Sequence, residues 1–460
     1  MISYKQVRQY HLEHPHRASP ARGAKILVIG FALIILIGTI LLSLPAATES
    51  DLSIGWLPAL FTSTSATTVT GLVLFGTEVT FSTFGEIIIL LLIQVGGVGF
   101  ITLSVVLYRL IGRRVSIYER NLLRQTLGVE AGEGVVQLTL AVLLITIAIE
   151  LVGALILFTQ WVQVMDWSSA AYYAIFHSIS AFCNAGFDLF HSLEDPALIA
   201  ARDNPISILV MSALITIGTL GITVIYDLIV WPREKHLSLH TRLVLPLTLS
   251  LIVIGTVIVM IDETFVAGKA LSQLPVSERW WLAFFTVVSS RTAGITLISM
   301  ADLGQASQMI IFIWMFIGGA PASMGGGVGL STVAVVLITL ASTVRGYNES
   351  RIFERTIPME TVFKAVAILT LSTALVVIVT LLLIFLGEGE LFPLAFEVVS
   401  AFSNTGYSLG LTGDLSPVSR VLIAFTMFWG RLGPLTLVVA LAQRRRQTLI
   451  HFPEERIIIG

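Results

Sequence analysis

The sequence predicts an all-α, multi-pass membrane protein: four helix–pore-loop–helix repeats, eight transmembrane helices in all, around a pseudo-fourfold central pore. Three observations predict it. The 460 residues are 55% hydrophobic and only 12% charged, against about 25% charged in soluble domains. Eight apolar runs are each long enough to cross a bilayer, which takes roughly 20 residues. Between the members of each successive pair of runs lies a shorter, more polar stretch that carries a glycine, at Gly71, Gly186, Gly294 and Gly406.

The eight runs cover residues 24–45, 85–110, 135–160, 206–231, 241–262, 307–341, 360–386 and 417–442. The first follows a polar, basic amino end with Lys5, Arg8, Arg17 and Arg22. It is too long for a typical signal-peptide core and no small-residue cleavage pattern closes it, so it reads as a membrane helix. Basic residues mark cytoplasmic loops. With the amino end inside, the cytoplasmic segments gather most of the 27 Lys and Arg residues, in clusters at Arg109–Arg124, Arg233–Arg242, Arg345–Lys364 and Arg444–Arg456. Only Arg202, Lys269, Arg279, Arg291 and Arg420 fall on the outer side, and Arg431 falls inside the last run. Both termini are therefore expected to be cytoplasmic, with the chain in the cell (inner) membrane.

The stretches at 55–72, 168–187, 279–295 and 392–407 are too short to span. Non-helical backbone at membrane depth is tolerated only where it is buried in protein or lines a watery cavity. Each stretch therefore reads as a half-helix that enters the membrane and returns as extended chain. Aligned on their glycines they run Phe61-TSTSATTVT-Gly71, Phe176-HSISAFCNA-Gly186, Phe284-FTVVSSRTA-Gly294 and Phe396-EVVSAFSNT-Gly406. The glycines recur at intervals of 115, 108 and 112 residues, and a large apolar residue or tyrosine follows each. Even spacing between hydrophobic spans is the signature of an internal repeat. The boundaries expected are a cytoplasmic segment at 1–23, repeats at 24–114, 115–235, 236–345 and 346–446, and a cytoplasmic tail at 447–460.

Four such loops suggest an ion filter. A permeant ion must exchange its hydration shell for oxygen ligands, and backbone carbonyls supply these without a fixed charge that would trap it. Glycine reaches backbone conformations closed to other residues, which lets successive carbonyls face one axis. The half-helices would point their carboxyl ends inward, where their macrodipoles favour a cation.

The fourfold pattern, the glycine in every loop, and the strings TVTGL at Thr68–Leu72, NAGF at Asn184–Phe187, RTAG at Arg291–Gly294 and NTGY at Asn404–Tyr407 resemble the Trk/Ktr/HKT superfamily of potassium transporters. The resemblance covers nearly the whole chain and is closest to the bacterial KtrB-type membrane subunit, because the first unit starts almost at the amino end. It implies potassium as the permeant ion, held by the loop backbone at Thr68, Val69, Thr70 and Gly71; Asn184, Ala185 and Gly186; Thr292, Ala293 and Gly294; and Asn404, Thr405 and Gly406. Serine in place of the first-loop glycine is associated with sodium-preferring plant relatives, so Gly71 implies potassium selectivity. The resemblance also implies a homodimer with one pore per chain, and a separate cytosolic ring of nucleotide-binding regulatory subunits. Sodium is a candidate activator. The chain has no GxGxxG fingerprint and no Walker A site, so any nucleotide control is expected from that partner.

The sixth run is interrupted by Gly318-Gly-Ala-Pro-Ala-Ser-Met-Gly-Gly-Gly-Val-Gly329. Six glycines and a proline cannot form an uninterrupted helix. The equivalent stretch in the family is an intramembrane loop that obstructs the pore. Gly318, Gly319, Gly325, Gly326, Gly327 and Gly329 are thus expected to form a gate. Arg431, mid-span in Gly430-Arg-Leu-Gly-Pro434, must face the pore or a partner; the expectation is that it bonds the carbonyls of the gate loop. Among lesser outliers, Glu150 is expected to pair with a polar group between helices. Cys183 reads as a small filler behind the filter, Arg291 as a side chain turned away to bind loop backbone, and Asp188 as an acid at the outer mouth.

An enzyme would need paired carboxylates, a Ser/His pair or metal ligands in the spans; none is present in the sequence, and no enzymatic activity is expected. The alternative is a sodium- or proton-coupled potassium symporter, whose signature would be broken helices with paired carboxylates at midplane. The sequence shows one broken run and one mid-span acid.

Overall fold

The computed structural model describes residues 20–99, 135–190, 202–265, 271–272, 274–347 and 349–433. The basic loop at Arg109–Arg124 and the tail from Arg444 lie outside these residues, as do the ends of the second and eighth apolar runs. The described chain is predominantly helical. Its only sheet is a two-residue hairpin pairing Arg351–Ile352 with Arg355–Thr356.

The helices that organise the molecule are α1 (Pro20–Leu42), α2 (Trp56–Thr67), α3 (Thr83–Val98), α4 (Val135–Trp161), α5 (Trp167–Cys183), α6 (Pro205–Leu220), α7 (Ile222–Glu234), α8 (Leu239–Phe265), α9 (Val276–Ser289), α10 (Gln305–Ile317), α11 (Leu330–Val344), α12 (Met359–Phe385), α13 (Leu391–Ser403) and α14 (Pro417–Leu432). Local chemistry sets several starts. Asp166 caps α5 by accepting from the Ser169 amide at 3.0 Å, and Asn204 caps α6 from Ile206 at 2.9 Å. Pro205 and Pro417 occupy the first turns of α6 and α14, where a missing N–H costs nothing.

Among the described residues, α1, α4, α8 and α12 are each long and apolar enough to cross a membrane. Their outward faces carry exposed Ile37, Leu144, Leu151, Val253 and Phe363. Contiguous apolar surface of this kind is out of place in water. The interior is the more polar part. Ser63, Thr67, Thr68, Ser178, Ser180, Ser289, Ser400 and Ser403 are all buried around the centre.

The packing is cyclic. α1, α4, α8 and α12 lie against α2, α5, α9 and α13 respectively. The helix after each loop then crosses to the next short helix: α3 packs on α5, α6 on α9, α10 on α13, and α14 closes the circle on α2.

One expectation is corrected here. The run at 206–231 is not a continuous span but two helices, α6 and α7, bent by 100° at Gly221. The cause is local: Gly221 sits at φ 84°, outside helical backbone. The same break recurs. α3 ends at Gly99 (φ 87°), α10 at Gly318 (φ 74°) and α14 at Gly433 (φ 80°). Three residues before these glycines stand Gly96, Gly218 and Gly430, with Met315 in the third copy. A Cβ on Gly96 would strike the carbonyl oxygen of Thr67, one on Gly218 that of Phe182, and one on Gly430 that of Phe402. Each of those carbonyls lies four residues before a loop glycine. The Gly-x-x-Gly pairs thus let α3, α6 and α14 seat directly on the carboxyl ends of the short helices and then turn away.

Replacing Gly96, Gly218 or Gly430 by valine should cost about 1–3 kcal/mol or more through overpacking against backbone that cannot move aside. Thermal unfolding in detergent should show lowered midpoints for all three, with Gly413→Ala unchanged, since a Cβ there meets only the Leu74 carbonyl oxygen at 3.6 Å.

Candidate functional site

The four loops share one backbone conformation. Each loop glycine has positive φ: 82° at Gly71, 73° at Gly186, 67° at Gly294 and 96° at Gly406. The residue two before it does as well: 51° at Val69, 57° at Asn184, 76° at Thr292 and 53° at Asn404. Asn tolerates this region, but for a β-branched residue such as Val69 it is an outlier that only surrounding structure can hold. The hold is visible. The amides of Thr70, Ala185 and Thr405 turn back to the carbonyls of Ser65 (2.8 Å), Ser180 (2.8 Å) and Ser400 (3.0 Å), and Gly294 to Ser289 (3.0 Å).

The glycines form a closed circuit. A Cβ on Gly71 would meet the Ala185 carbonyl oxygen at 2.5 Å, and one on Gly186 would meet that of Ala293 at 2.6 Å. A Cβ on Gly294 would strike the carbonyl oxygen of Thr405, and one on Gly406 that of Thr70. Every loop therefore presents its glycine to the carbonyl that precedes the glycine of the next loop. No side chain fits at any of the four positions. The residues expected to act together, Thr70, Gly71, Ala185, Gly186, Ala293, Gly294, Thr405 and Gly406, are brought into one ring.

Side chains brace it from outside. Asn404 Nδ2 donates to Thr70 Oγ1 and to the Met427 carbonyl, both at 2.9 Å, tying the fourth loop to the first and to α14. The Tyr407 hydroxyl donates to the carbonyls of Thr286 (3.2 Å) and Ile295 (3.3 Å), tying the fourth loop to the third. Ser180 and Ser289 donate to the carbonyls of Phe187 (2.6 Å) and Ile295 (3.0 Å), just past their own loop glycines. Thr68 and Thr70 pair their hydroxyls at 2.7 Å, as do Ser403 and Thr405. His177 is a brace not singled out from sequence. Its Nε2 accepts from the Leu189 amide at 3.3 Å, which assigns the proton to Nδ1, 2.8 Å from the Tyr173 carbonyl. The signal was a polar residue right after the aligned phenylalanine, as in Phe61-Thr62 and Phe396-Glu397.

The glycine-rich stretch at 318–329 is a loop folded on itself. Gly319 N–H donates to the Gly326 carbonyl at 3.1 Å, and Leu330 N–H to that of Gly319 at 2.8 Å. Its tip is stitched to the bend between α6 and α7: Ala320 and Met324 donate to Thr219 and Gly218 at 3.0 Å, and Ile222 donates to Ala322 at 3.2 Å. Its far side lies against the ring loops. A Cβ on Gly326 would meet Asn404 Oδ1 at 2.5 Å, and one on Gly325 would strike Thr292 Oγ1. Arg431 reaches this loop. Its Nη1 donates to the Met324 carbonyl, and its Nη2 to the carbonyls of Gly96 and, at 3.2 Å, Gly97. A cation at the carboxyl end of α3 is well placed for that helix's dipole.

The lesser outliers resolve differently. Glu150 pairs with Gln94, whose Nε2 donates to Oε2 at 2.8 Å. Cys183 is fully buried, its Sγ 3.1 Å from Gln94 Oε1 and packed against Gly97. Asp188 accepts from the Phe190 amide at 3.3 Å. The expectation for Arg291 is corrected: it is buried, but its Nε and Nη2 have no hydrogen-bond partner among the described residues, so those groups do not bind loop backbone.

A family profile described as TrkH, cation transport protein, matches residues 2–448. Ktr system potassium uptake protein B of Bacillus subtilis is 36% identical over 95% of this chain and 96% of its own length. The potassium/sodium uptake protein NtpJ of Enterococcus hirae is 33% identical over 96% of this chain and 98% of its own. In structure, the potassium transporter TrkH from Vibrio parahaemolyticus shares the fold, with a TM-score of 0.73 at 19% identity over 93% of this chain and 86% of that one.

Asn404→Ala should loosen the ring where the circuit closes. Loss of two buried hydrogen bonds should cost about 1–3 kcal/mol each, read as a lowered unfolding midpoint in potassium-containing detergent. A midpoint equal to that of the parent protein would show that the brace does not hold the loops.

Proposed function

The chain belongs to the TrkH family of cation transport proteins, and on that premise we propose that it is the ion-conducting membrane subunit of a potassium uptake system. It is an integral membrane protein and a transporter, not an enzyme. The observation that carries the potassium-conduction reading is the closed circuit of four loop glycines against four carbonyls. The relatives named as potassium and potassium/sodium uptake proteins match 95 and 96% of the chain.

In this reading eight spans form four helix–pore-loop–helix repeats, at 24–114, 115–235, 236–345 and 346–446, flanked by cytoplasmic ends at 1–23 and 447–460 in the inner membrane. Potassium sheds water and takes the backbone carbonyls of Thr68–Gly71, Asn184–Gly186, Thr292–Gly294 and Asn404–Gly406 in its place. The carboxyl ends of α2, α5, α9 and α13 add partial negative charge around it. Gly71 keeps the first loop free of a side chain that would intrude on the ring and favour sodium. The loop at 318–329 is the gate, one layer below, and Arg431 holds it shut by bonding Met324 on one side and Gly96 on the other. Sodium acts as an activator. The chain pairs as a homodimer and takes its nucleotide control from a cytosolic ring of regulatory subunits. Channel-like conduction is favoured over symport because the mid-span acid Glu150 bonds Gln94 rather than a second carboxylate.

Purified protein in liposomes should take up rubidium down its gradient without a sodium or proton gradient; uptake that required either would favour the symporter. Gly71→Ser should lower the preference for potassium over sodium by about tenfold, roughly 1.4 kcal/mol of discrimination. Arg431→Gln should raise rubidium flux severalfold while selectivity stays at the parent value; an unchanged flux in a well-folded variant would remove Arg431 from the gate.

A further inference from the structure

An apolar cavity of about 220 Å³ lies between α4 and α7, and its inner wall is the tip of the glycine-rich loop at Ala322–Met324. Val142 and Ile145 line it from α4, and Ile225 and Ile229 from α7. The lining is almost entirely hydrocarbon. Water would find too few partners there, and apolar cavities of even about 150 Å³ stay dry and accept apolar guests. The cavity borders the outer surface of the bundle. Ile229 is 55% exposed and Tyr226 53%, and Leu144 on the neighbouring turn of α4 is 68% exposed. In an integral membrane protein the fluid on that side is lipid hydrocarbon.

The sequence of α7 says which lipid. Ile222, Ile225, Tyr226 and Ile229 follow helical spacing down one face, and Arg233 continues the same face one turn further on, about 6 Å along the axis. Arg233 is exposed, Lys235 follows it, and Trp231 is half exposed at the same level, where aromatic residues meet the lipid headgroups. Of the two acids on this helix, Asp227 and Glu234, the one beside the apolar residues is committed elsewhere: Asp227 accepts from Ser238 and Thr241 at 2.5 Å. The face thus reads hydrocarbon first and cation last, the order of an amphiphile with a negative head. Guanidinium is well shaped for phosphate.

We propose that an anionic phospholipid binds here, with an acyl chain in the cavity against Met324 and its headgroup at Arg233. The consequence for transport rests on the gate reading above. The Met324 carbonyl accepts from Arg431, its amide donates to Gly218, and Ala322 accepts from Ile222. A chain packed behind this tip keeps it seated on the α6–α7 bend, so occupancy restrains conduction.

The test uses the full chain in phosphatidylcholine liposomes containing a phosphatidylglycerol with a photoreactive diazirine on its acyl chain. Adducts are mapped by mass spectrometry. Segments 139–146 and 222–229 should label about fivefold above the exposed face of α12 around Phe363 and Leu381. That labelling should fall about as far in Val142→Trp and in Ile225→Phe, two independent ways of filling the cavity, and should weaken in Arg233→Gln. Labelling equal to that of α12, or unchanged in both filled variants, overturns the site; equal labelling by a phosphatidylcholine analogue overturns the headgroup assignment. Rubidium flux is measured alongside. Added phosphatidylglycerol should lower flux about twofold in the parent protein and leave Val142→Trp unaffected. Correct labelling with lipid-independent flux would retain the site and contradict the gate reading on which the coupling rests.

Discussion

Backbone must meet backbone at the centre of this molecule, and nearly everything else follows from that. A carbonyl cannot lie near a neighbouring loop's Cα unless that residue lacks a Cβ. Gly71, Gly186, Gly294 and Gly406 meet this requirement in the ring, where each faces the carbonyl of the next loop. Gly96, Gly218 and Gly430 meet it one layer out, where helices seat on the carboxyl ends of α2, α5 and α13. Gly326 meets it beneath, where a Cβ would lie 2.6 Å from the Ser403 carbonyl oxygen, and Gly325 beside it leaves room for the Thr292 side chain. Three layers of glycine contacts thus build a dense centre from main chain, and the apolar helices α1, α4, α8 and α12 surround it.

The arrangement explains where strain is kept. Val69 and Thr292 sit at positive φ, a conformation costing on the order of 1–3 kcal/mol for such residues. They persist because the amides that follow them are tied back to the preceding helix and because the loops abut in a circuit. Asn404 and Tyr407 close that circuit with side-chain bonds across loops. In the proposed reading, selection and gating fall on different layers of one structure. The ring is over-determined by its neighbours. The tip of the loop at 318–329 is held by bonds to α6, α7 and Arg431, which a movement of the tip would break.

Much of this was legible in the sequence, for physical reasons. Glycine at matched points of four polar stretches is costly in a membrane unless the backbone needs it, so those four positions stood out. Six glycines within one apolar run announced a break, and a lone arginine in a span announced a partner. The bend at Gly221 was not legible, because Ile222-Thr-Val-Ile continues the hydropathy of α6 without a polar gap. Its signal was the Gly-x-x-Gly spacing shared by Gly96–Gly99, Gly218–Gly221 and Gly430–Gly433, which hydropathy does not weigh. Nor could spacing reveal that Arg431 reaches back to Gly96, 335 residues away. The bond between Gln94 and Glu150 was invisible for the same reason: it depends on which faces of α3 and α4 meet. Arg291 runs the other way, since its neighbourhood in the sequence implied backbone partners that its Nε and Nη2 lack.

The central claim is that a cation is held on the axis enclosed by the four loops. The direct measurement is anomalous diffraction from crystals of the protein grown in rubidium. The account predicts peaks between the Thr70–Gly71, Ala185–Gly186, Ala293–Gly294 and Thr405–Gly406 backbones, weakened in Gly71→Ser. A protein that conducts rubidium in liposomes, yet shows no density there or shows it only at side-chain carboxylates, would contradict it.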